Sequence, residues 1–137
     1  MTDQFKGAGV ALITPFNPDG SIDFQSLEKL IDFQIAEGTN YIVALGTTGE
    51  PATLTKQEKN EVVAFVARKI NKRVPLVVGV GGNNTAETVT QVQEMDKNTD
   101  VDAILSVAPY YNRPNQNGIL AHFTAIATNT SKPVILY

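Results

Sequence analysis

The sequence contains no cysteine and a single histidine, His122, among its 137 residues. Disulfide bonds and thiolate chemistry are therefore excluded, and a zinc site or a site built on several histidines is disfavoured. No apolar run approaches the roughly 20 residues that span a membrane, and the first residues lack the basic and apolar segments of a signal peptide. These absences lead us to expect a cytoplasmic chain with no metal and no membrane partner.

Charge of either sign is also scarce. Charged residues make up 18% of the chain, hydrophobic residues make up 42%, and the formal net charge is −3. This composition is typical of a globular domain with a real core. Because nucleic-acid-binding domains are usually basic, the small negative charge argues against nucleic acid as a partner.

Short continuous apolar runs alternate with segments whose apolar residues recur at helical spacing. Continuous runs are typical of strands buried on both faces, so the alternation predicts an α/β fold with a parallel sheet and right-handed crossovers. The predicted strands cover residues 7–14, 41–45, 75–80, 102–108 and 133–137. The predicted helices end near residues 37, 70, 95 and 130.

Three helix starts carry specific capping signals. Asp23 is a good N-cap for the first helix. Thr55 and Glu58 have the spacing of a capping box, in which each side chain satisfies a backbone donor of the other. Asn84, followed by Glu87, predicts the start of the third helix.

In the fourth helix, the spacing predicts that Leu120, Phe123 and Ala127 face inward.

Two architectures fit this order of elements: a complete doubly wound, flavodoxin-like sheet, or part of a (β/α)8 barrel. A whole barrel takes about 250 residues, and this chain has roughly half of that. The last predicted strand has no helix to cover it. We therefore expect residues 1–137 to form a single partial domain, the N-terminal half of a barrel with about four β/α units plus a fifth strand, truncated after that strand.

Hydroxyl groups collect where the predicted strands end. In parallel α/β folds, ligands bind at the carboxyl ends of the strands. Threonine and tyrosine hydroxyls can hold a small carboxylate and relay protons without adding charge. The alternatives are a purely structural loop, a packing or interface pair of tyrosines, and a core tyrosine at the end of the fifth strand. The residues at these ends are Thr14, Gly46, Thr47, Thr48, Gly81, Gly82, Asn83, Tyr110, Tyr111 and Tyr137.

Other catalytic signatures are missing. Glu50 is the one carboxylate near these strand ends, and acid–base work by paired carboxylates needs two. The turn at residues 79–84 resembles a dinucleotide-binding glycine motif, but its last position is Asn84, so we expect no dinucleotide cofactor. No lysine follows a predicted strand, where a Schiff-base lysine would be buried and desolvated.

Four motifs stand out at or near the strand ends: Gly-Thr-Thr-Gly-Glu at 46–50, Pro-Tyr-Tyr-Asn-Arg-Pro at 109–114, Val-Ile-Leu-Tyr at 134–137 and Val-Ala-Leu-Ile-Thr-Pro-Phe at 10–16. In sequence, order and spacing these motifs resemble the dihydrodipicolinate synthase family. The sister family, the N-acetylneuraminate lyases, typically has serine before threonine in the first motif, so Thr47 favours the synthases.

The resemblance implies a (β/α)8 barrel lyase of the class I aldolase type. Such an enzyme condenses pyruvate with aspartate semialdehyde through a lysine Schiff base, without a cofactor, in the diaminopimelate route to lysine. The parent would be a homo-oligomer, a tetramer or dimer of dimers. Tyr137 would be the central proton-relay residue, and Thr47 would link it to Tyr111 of a neighbouring subunit. Thr48 and Gly46 would hold the pyruvate carboxylate.

The resemblance also implies an effector site for lysine at a dimer interface. Where lysine-sensitive members often carry histidines, this sequence has Lys56 and Lys59. Added positive charge disfavours a cationic effector, so we expect the parent enzyme to resist inhibition by lysine. The matching effector positions are Ala52, Asn83, Glu87 and Tyr110.

The family's Schiff-base lysine and second-substrate arginine would lie beyond Tyr137. We therefore expect this chain alone to be an inactive fragment. The alternatives are a pyruvate aldolase resembling N-acetylneuraminate lyase and a non-catalytic half-barrel unit that assembles through unpaired strand edges.

Overall fold

A computed structural model describes residues 3–137, in which strands and helices alternate. Short 3-10 helices cover Asp3–Phe5, Thr47–Gly49 and Pro51–Thr53. The strands are β1 (Gly9–Ala11), β2 (Tyr41–Ala44), β3 (Leu76–Gly79), β4 (Ala103–Ser106) and β5 (Val134–Leu136). The helices are α1 (Phe24–Ala36), α2 (Lys56–Ile70), α3 (Thr85–Asp96) and α4 (Gln116–Ala127).

The strands form one sheet in the order β1-β2-β3-β4-β5. Pairing is parallel between β1 and β2, between β2 and β3, and between β4 and β5. Consecutive strands are therefore neighbours, as the short β/α units of the sequence predict. The chain divides into two compact units, one ending at Val78 and the other running from Gly79 to Tyr137.

The first unit is held by aliphatic residues of α1 and α2 and of the strands. Phe24 packs against Phe65 with ring centroids 4.8 Å apart. An ion pair from Lys69 to Glu28 joins the same two helices at their surface, and Arg73, which follows the end of α2, pairs with Asp32 of α1. The fully buried members include Leu27, Ile31, Ile42, Val66, Ile70, Leu76, Val77 and Val78.

The second unit corrects the inward face predicted for α4. Leu120 is 68% exposed and Ala127 is also exposed, Phe123 is half-buried, and His122 and Ile126 are buried. The burial follows positions 122 and 126, which are four residues apart on one helical face. Sequence spacing alone chose the wrong face because α4 is apolar on more than one side. Val92, Ile104 and Ile126 form the centre of this unit.

The predicted helix starts are confirmed. The Asp23 side chain accepts from the Ser26 N–H at 3.0 Å, and Thr55 and Glu58 form the reciprocal capping box. Asn84 accepts from the N–H groups of two residues in the first turn of α3. Because these bonds involve residues two or three positions apart, the sequence could predict them locally.

Several observed elements are shorter than the predicted ones, although α2 ends at Ile70 as predicted. The predicted first strand covers residues 7–14, but β1 covers only Gly9–Ala11. The last helix was predicted to reach residue 130, but α4 ends at Ala127, where Thr128 and Asn129 side chains donate to carbonyls of the last turn. Such local side-chain bonds compete with the helix and end it. No helix among residues 3–137 is long and apolar enough to cross a membrane.

Candidate active site

The loop after β2 is a pair of tight turns rather than an open connection. Leu45 and Glu50 have positive φ values of 55° and 53°, in the left-handed region that non-glycine residues rarely adopt. Between them, the Gly49 N–H donates to the Gly46 carbonyl at 2.8 Å. The structure therefore holds Thr47 and Thr48 on a 3-10 turn, a feature that the sequence prediction did not contain.

The two threonine side chains of this turn point away from the protein interior. Thr47 and Thr48 are exposed, whereas Gly46 and Gly49 on either side are buried. Across residues 3–137, no hydrogen bond occupies either threonine hydroxyl. Both hydroxyls are therefore available to a ligand, as their predicted roles require.

Thr14 supports this turn from the segment that follows β1. Its side chain is buried, and its hydroxyl donates to the Gly49 carbonyl at 2.8 Å. A Cβ at position 49 would lie 3.2 Å from the Leu12 carbonyl oxygen and 3.3 Å from Thr14 Oγ1. Gly49 thus lets the turn pack closely on the first strand. The sequence predicts only that the Thr14 hydroxyl lies near the end of a strand. The structure shows that this hydroxyl binds the turn.

Removing the Thr14 hydroxyl is expected to destabilise the fold. In Thr14→Val, the shape is kept but the buried Gly49 carbonyl loses its donor, which costs about 1–3 kcal/mol. Urea denaturation of both proteins measures the difference. Thr14→Ser keeps the donor and serves as the matched control. Equal free energies of unfolding for Thr14→Val and the parent would contradict this prediction.

The loop after β4 carries the two adjacent tyrosines. Tyr111 has a φ of 72°, and the Asn112 N–H donates to the Tyr110 carbonyl at 2.9 Å, which closes a three-residue turn around Tyr111. The Asn112 side chain donates to the Asn83 carbonyl at 3.2 Å. The Tyr111 side chain is 92% exposed. The backbone thus holds this ring out from its own unit.

Tyr137 extends the pairing of β5 with β4. Its N–H donates to the Ser106 carbonyl at 2.9 Å, and its carbonyl accepts from the Ala108 N–H at 3.0 Å. The side chain is 67% exposed. The exposure does not support the alternative that Tyr137 is a core residue, and the side chain is accessible.

The predicted effector positions lie in both units. Ala52 is exposed in the second 3-10 turn of the first unit. Asn83, Glu87 and Tyr110 are exposed in the second unit, where the Glu87 carboxylate accepts from the side chain of Gln91. Their role as an effector site stays a prediction.

His122 is a polar residue whose position the sequence analysis missed. It is 2% exposed, its Nδ1 lies 2.8 Å from Thr85 Oγ1, and its Nε2 has no hydrogen bond within the described chain. Burial lowers its pKa below the ordinary value of 6.5, opposed in part by the Val107 carbonyl. The sequence signal that could have predicted the burial of His122 is its position four residues before Ile126, on the same face of α4.

The lowered pKa of His122 predicts a loss of stability in mild acid. The unfolded chain takes up a proton near pH 6.5, whereas the folded chain resists it, so stability is greatest above that pH and falls as the pH decreases towards the lowered pKa. The sequence holds no other histidine to titrate there. Urea denaturation between pH 8 and pH 5 measures the slope, and His122→Gln should flatten it. An unchanged slope in that variant would contradict the assignment.

The described residues hold no cluster of three or more histidine, cysteine, aspartate or glutamate side chains suited to a metal ion. The accessible groups are hydroxyls from Thr47, Thr48, Tyr111 and Tyr137. Polar groups at the carboxyl ends of parallel strands are where α/β enzymes of the barrel and doubly wound classes bind their ligands. The chain belongs to the dihydrodipicolinate synthetase family, which it matches over residues 4–137.

Relatives and solved structures agree on this family. The chain is 50% identical to the 4-hydroxy-tetrahydrodipicolinate synthase of Parabacteroides distasonis over 134 residues, covering 98% of this chain and 45% of that protein. The chain is 51% identical to the synthase of Porphyromonas gingivalis, also over 134 residues that cover 98% of this chain and 45% of that protein. A crystal structure of the chloride-inhibited synthase of Acinetobacter baumannii with pyruvate superposes with a TM-score of 0.91 at 44% identity, covering 96% of this chain and 45% of that one.

The chain thus spans about 45% of the length of the curated relatives it matches. The predicted fold class, parallel α/β units that form half of a (β/α)8 barrel, is confirmed by these solved structures. The flavodoxin-like alternative is not supported by them.

Proposed function

We propose that this chain supplies the first half of an enzyme that condenses pyruvate with aspartate semialdehyde. The observation that carries the proposal is the Thr47-Thr48 pair, two exposed hydroxyls with no protein partner among the described residues, held on a turn by buried glycines. Membership of the dihydrodipicolinate synthetase family supports the same reaction. The pyruvate complex of the Acinetobacter relative supports pyruvate as the first substrate.

We assign the accessible groups to two tasks. Thr48 and the backbone at Gly46 hold the pyruvate carboxylate. Thr47, Tyr111 and Tyr137 form a proton relay, with Tyr111 provided by a neighbouring subunit of a homo-oligomer. A relay of hydroxyls moves protons between substrate and solvent without placing a fixed charge beside the reacting carbons.

The nucleophile of this reaction is a lysine that forms a Schiff base, and the lysines of this chain are poor candidates. Lys69 pairs with Glu28 between α1 and α2, and the Lys132 ammonium donates to the Val101 carbonyl at 2.8 Å. A Schiff-base lysine is instead buried and desolvated, which lowers its pKa. We propose that the nucleophile comes from a segment outside residues 1–137.

A chimera tests the proposal. Residues 4–137 replace the matching segment of the Parabacteroides distasonis synthase, whose remaining part supplies the nucleophile. We expect the chimera to consume pyruvate and aspartate semialdehyde together, and borohydride with pyruvate to trap an adduct on a lysine of the Parabacteroides segment. The 137-residue chain treated in the same way should show no adduct by mass spectrometry.

Three outcomes would overturn the proposal or a part of it. A folded chimera without condensation activity would show that this half does not serve the reaction. Cleavage of N-acetylneuraminate in place of condensation would favour the sister lyase activity. A stoichiometric lysine adduct on the 137-residue chain would place the nucleophile within this sequence and overturn that part of the assignment.

A further inference from the structure

The buried polar residues of the second unit include His122 and Ser106. His122 and Thr85 share a hydrogen bond of 2.8 Å between Nδ1 and Oγ1, which ties α4 to the first residue of α3. His122 is 2% exposed and Ser106 is fully buried. Because His122 is buried, loss of this hydrogen bond would leave a buried ring nitrogen without a partner, so the bond favours one relative position of the two helices.

The start of α3 is in turn fixed to the glycine turn before it. The Asn84 side chain accepts from the N–H groups of Ala86 and Glu87, and the buried Thr88 hydroxyl donates to the Asn84 carbonyl at 2.9 Å. Thr85 lies between these contacts. Its bond to His122 therefore links the residue directly after the turn at residues 81–84 to α4.

The same turn holds the tyrosine loop. The Asn112 side chain donates to the Asn83 carbonyl at 3.2 Å, and Asn112 directly follows Tyr111. The Asn112 N–H also closes the turn that gives Tyr111 its φ of 72°. A positive φ at a bulky residue persists only where the surroundings enforce it. At Tyr111 this conformation is held by the backbone and side-chain hydrogen bonds of Asn112, the second of which is accepted by the Asn83 carbonyl.

We propose that the hydrogen bond between His122 and Thr85 positions Tyr111 for proton transfer. His122 and Thr85 touch neither substrate nor Tyr111, so they are positioning residues. They act through the turn at Asn83 and the side chain of Asn112. This role rests on the proposed function, because it gives Tyr111 its place in the relay.

A matched pair of variants at Thr85 separates positioning from packing. Thr85→Val keeps the shape of the side chain but removes its hydroxyl, whereas Thr85→Ser keeps the hydroxyl. The Asn112 side-chain amide is followed by NMR in the asparagine-labelled 137-residue chain. We expect its signal to move to the position of a free amide in Thr85→Val and to stay in place in Thr85→Ser. A second pair of variants tests the same hydrogen bond from α4. His122→Phe removes the ring nitrogen and should move the Asn112 signal, whereas His122→Asn supplies an amide in place of Nδ1 and should leave the signal in place.

Kinetics of the chimera give the second readout. We expect Thr85→Val to lower kcat at least tenfold with the KM for pyruvate within twofold of the parent, because the relay is displaced and the carboxylate site is not. Thr85→Ser should restore kcat. An unmoved Asn112 signal in both Thr85→Val and His122→Phe would overturn the proposal, as would equal loss of kcat in Thr85→Ser. The NMR readout needs no turnover, so an inactive chimera would count against the proposed function alone.

Discussion

We expect Thr47→Val in the chimera to lower kcat for the condensation of pyruvate with aspartate semialdehyde by about 10²–10⁴-fold, the usual contribution of a positioned proton-transfer group. The Thr47 side chain is exposed on its turn and its hydroxyl has no partner within residues 3–137. Valine keeps the shape of the side chain and removes its capacity to relay. The KM for pyruvate should change little, because Thr48 and Gly46 are assigned to the carboxylate.

Steady-state kinetics with each substrate varied in turn measure this effect. Thr47→Ser keeps a hydroxyl and should retain most of the activity. Thr90→Val, at an exposed threonine of α3, controls for the loss of a surface hydroxyl and should behave like the parent. If kcat in Thr47→Val matched that of Thr90→Val, Thr47 would have no part in the relay.

Gly81→Ala is expected to destabilise the fold by about 1–3 kcal/mol, the usual cost of overpacking. A Cβ at position 81 would lie 2.6 Å from Val107 Cγ1 and 3.2 Å from the Val107 backbone N. Contacts this short force the end of β4 to move, and that segment leads into the loop of Tyr110 and Tyr111. We therefore also expect the Asn112 side-chain amide signal to shift.

Gly82→Ala is the matched control for this prediction. A Cβ at position 82 would lie 3.7 Å from Thr88 Oγ1, an ordinary contact, and neither glycine has a positive φ. Both variants remove the same backbone freedom from the unfolded chain, so their difference reports the clash with Val107. Urea denaturation measures both. A Gly81→Ala protein as stable as the Gly82→Ala protein would contradict the close approach of these two strand ends.

Local patterns were sufficient to predict the order of the elements and the starts of the helices. The capping box at Thr55 and Glu58, for example, satisfies its donors within one turn of chain. The choice between an open sheet and half of a barrel needed chain length and family motifs as well, and the solved relatives confirmed the half-barrel. The hydroxyl residues were found because strand ends in parallel sheets meet ligands.

The sequence predicted less well where the strands and helices end and which face of a helix is buried. The fourth helix offered two apolar faces, and the sequence analysis chose Leu120 although the structure buries His122 and Ile126. Its end at Ala127 depends on side-chain bonds from Thr128 and Asn129 that compete with helix formation. Neither choice is encoded by apolar spacing alone.

By itself, the sequence determined the alternation of strands and helices, the caps, and the set of threonines and tyrosines at the strand ends. These features depend on residues that are close together along the chain. Tertiary structure alone decided how Thr47 and Tyr111 are presented. The 3-10 turn at residues 47–49 rests on Thr14, which lies 35 positions from Gly49, and the turn at Tyr111 rests on Asn83, which lies 29 positions from Asn112. Contacts between such distant residues exist only after folding, so the sequence named the hydroxyls of the proposed site and the fold placed them.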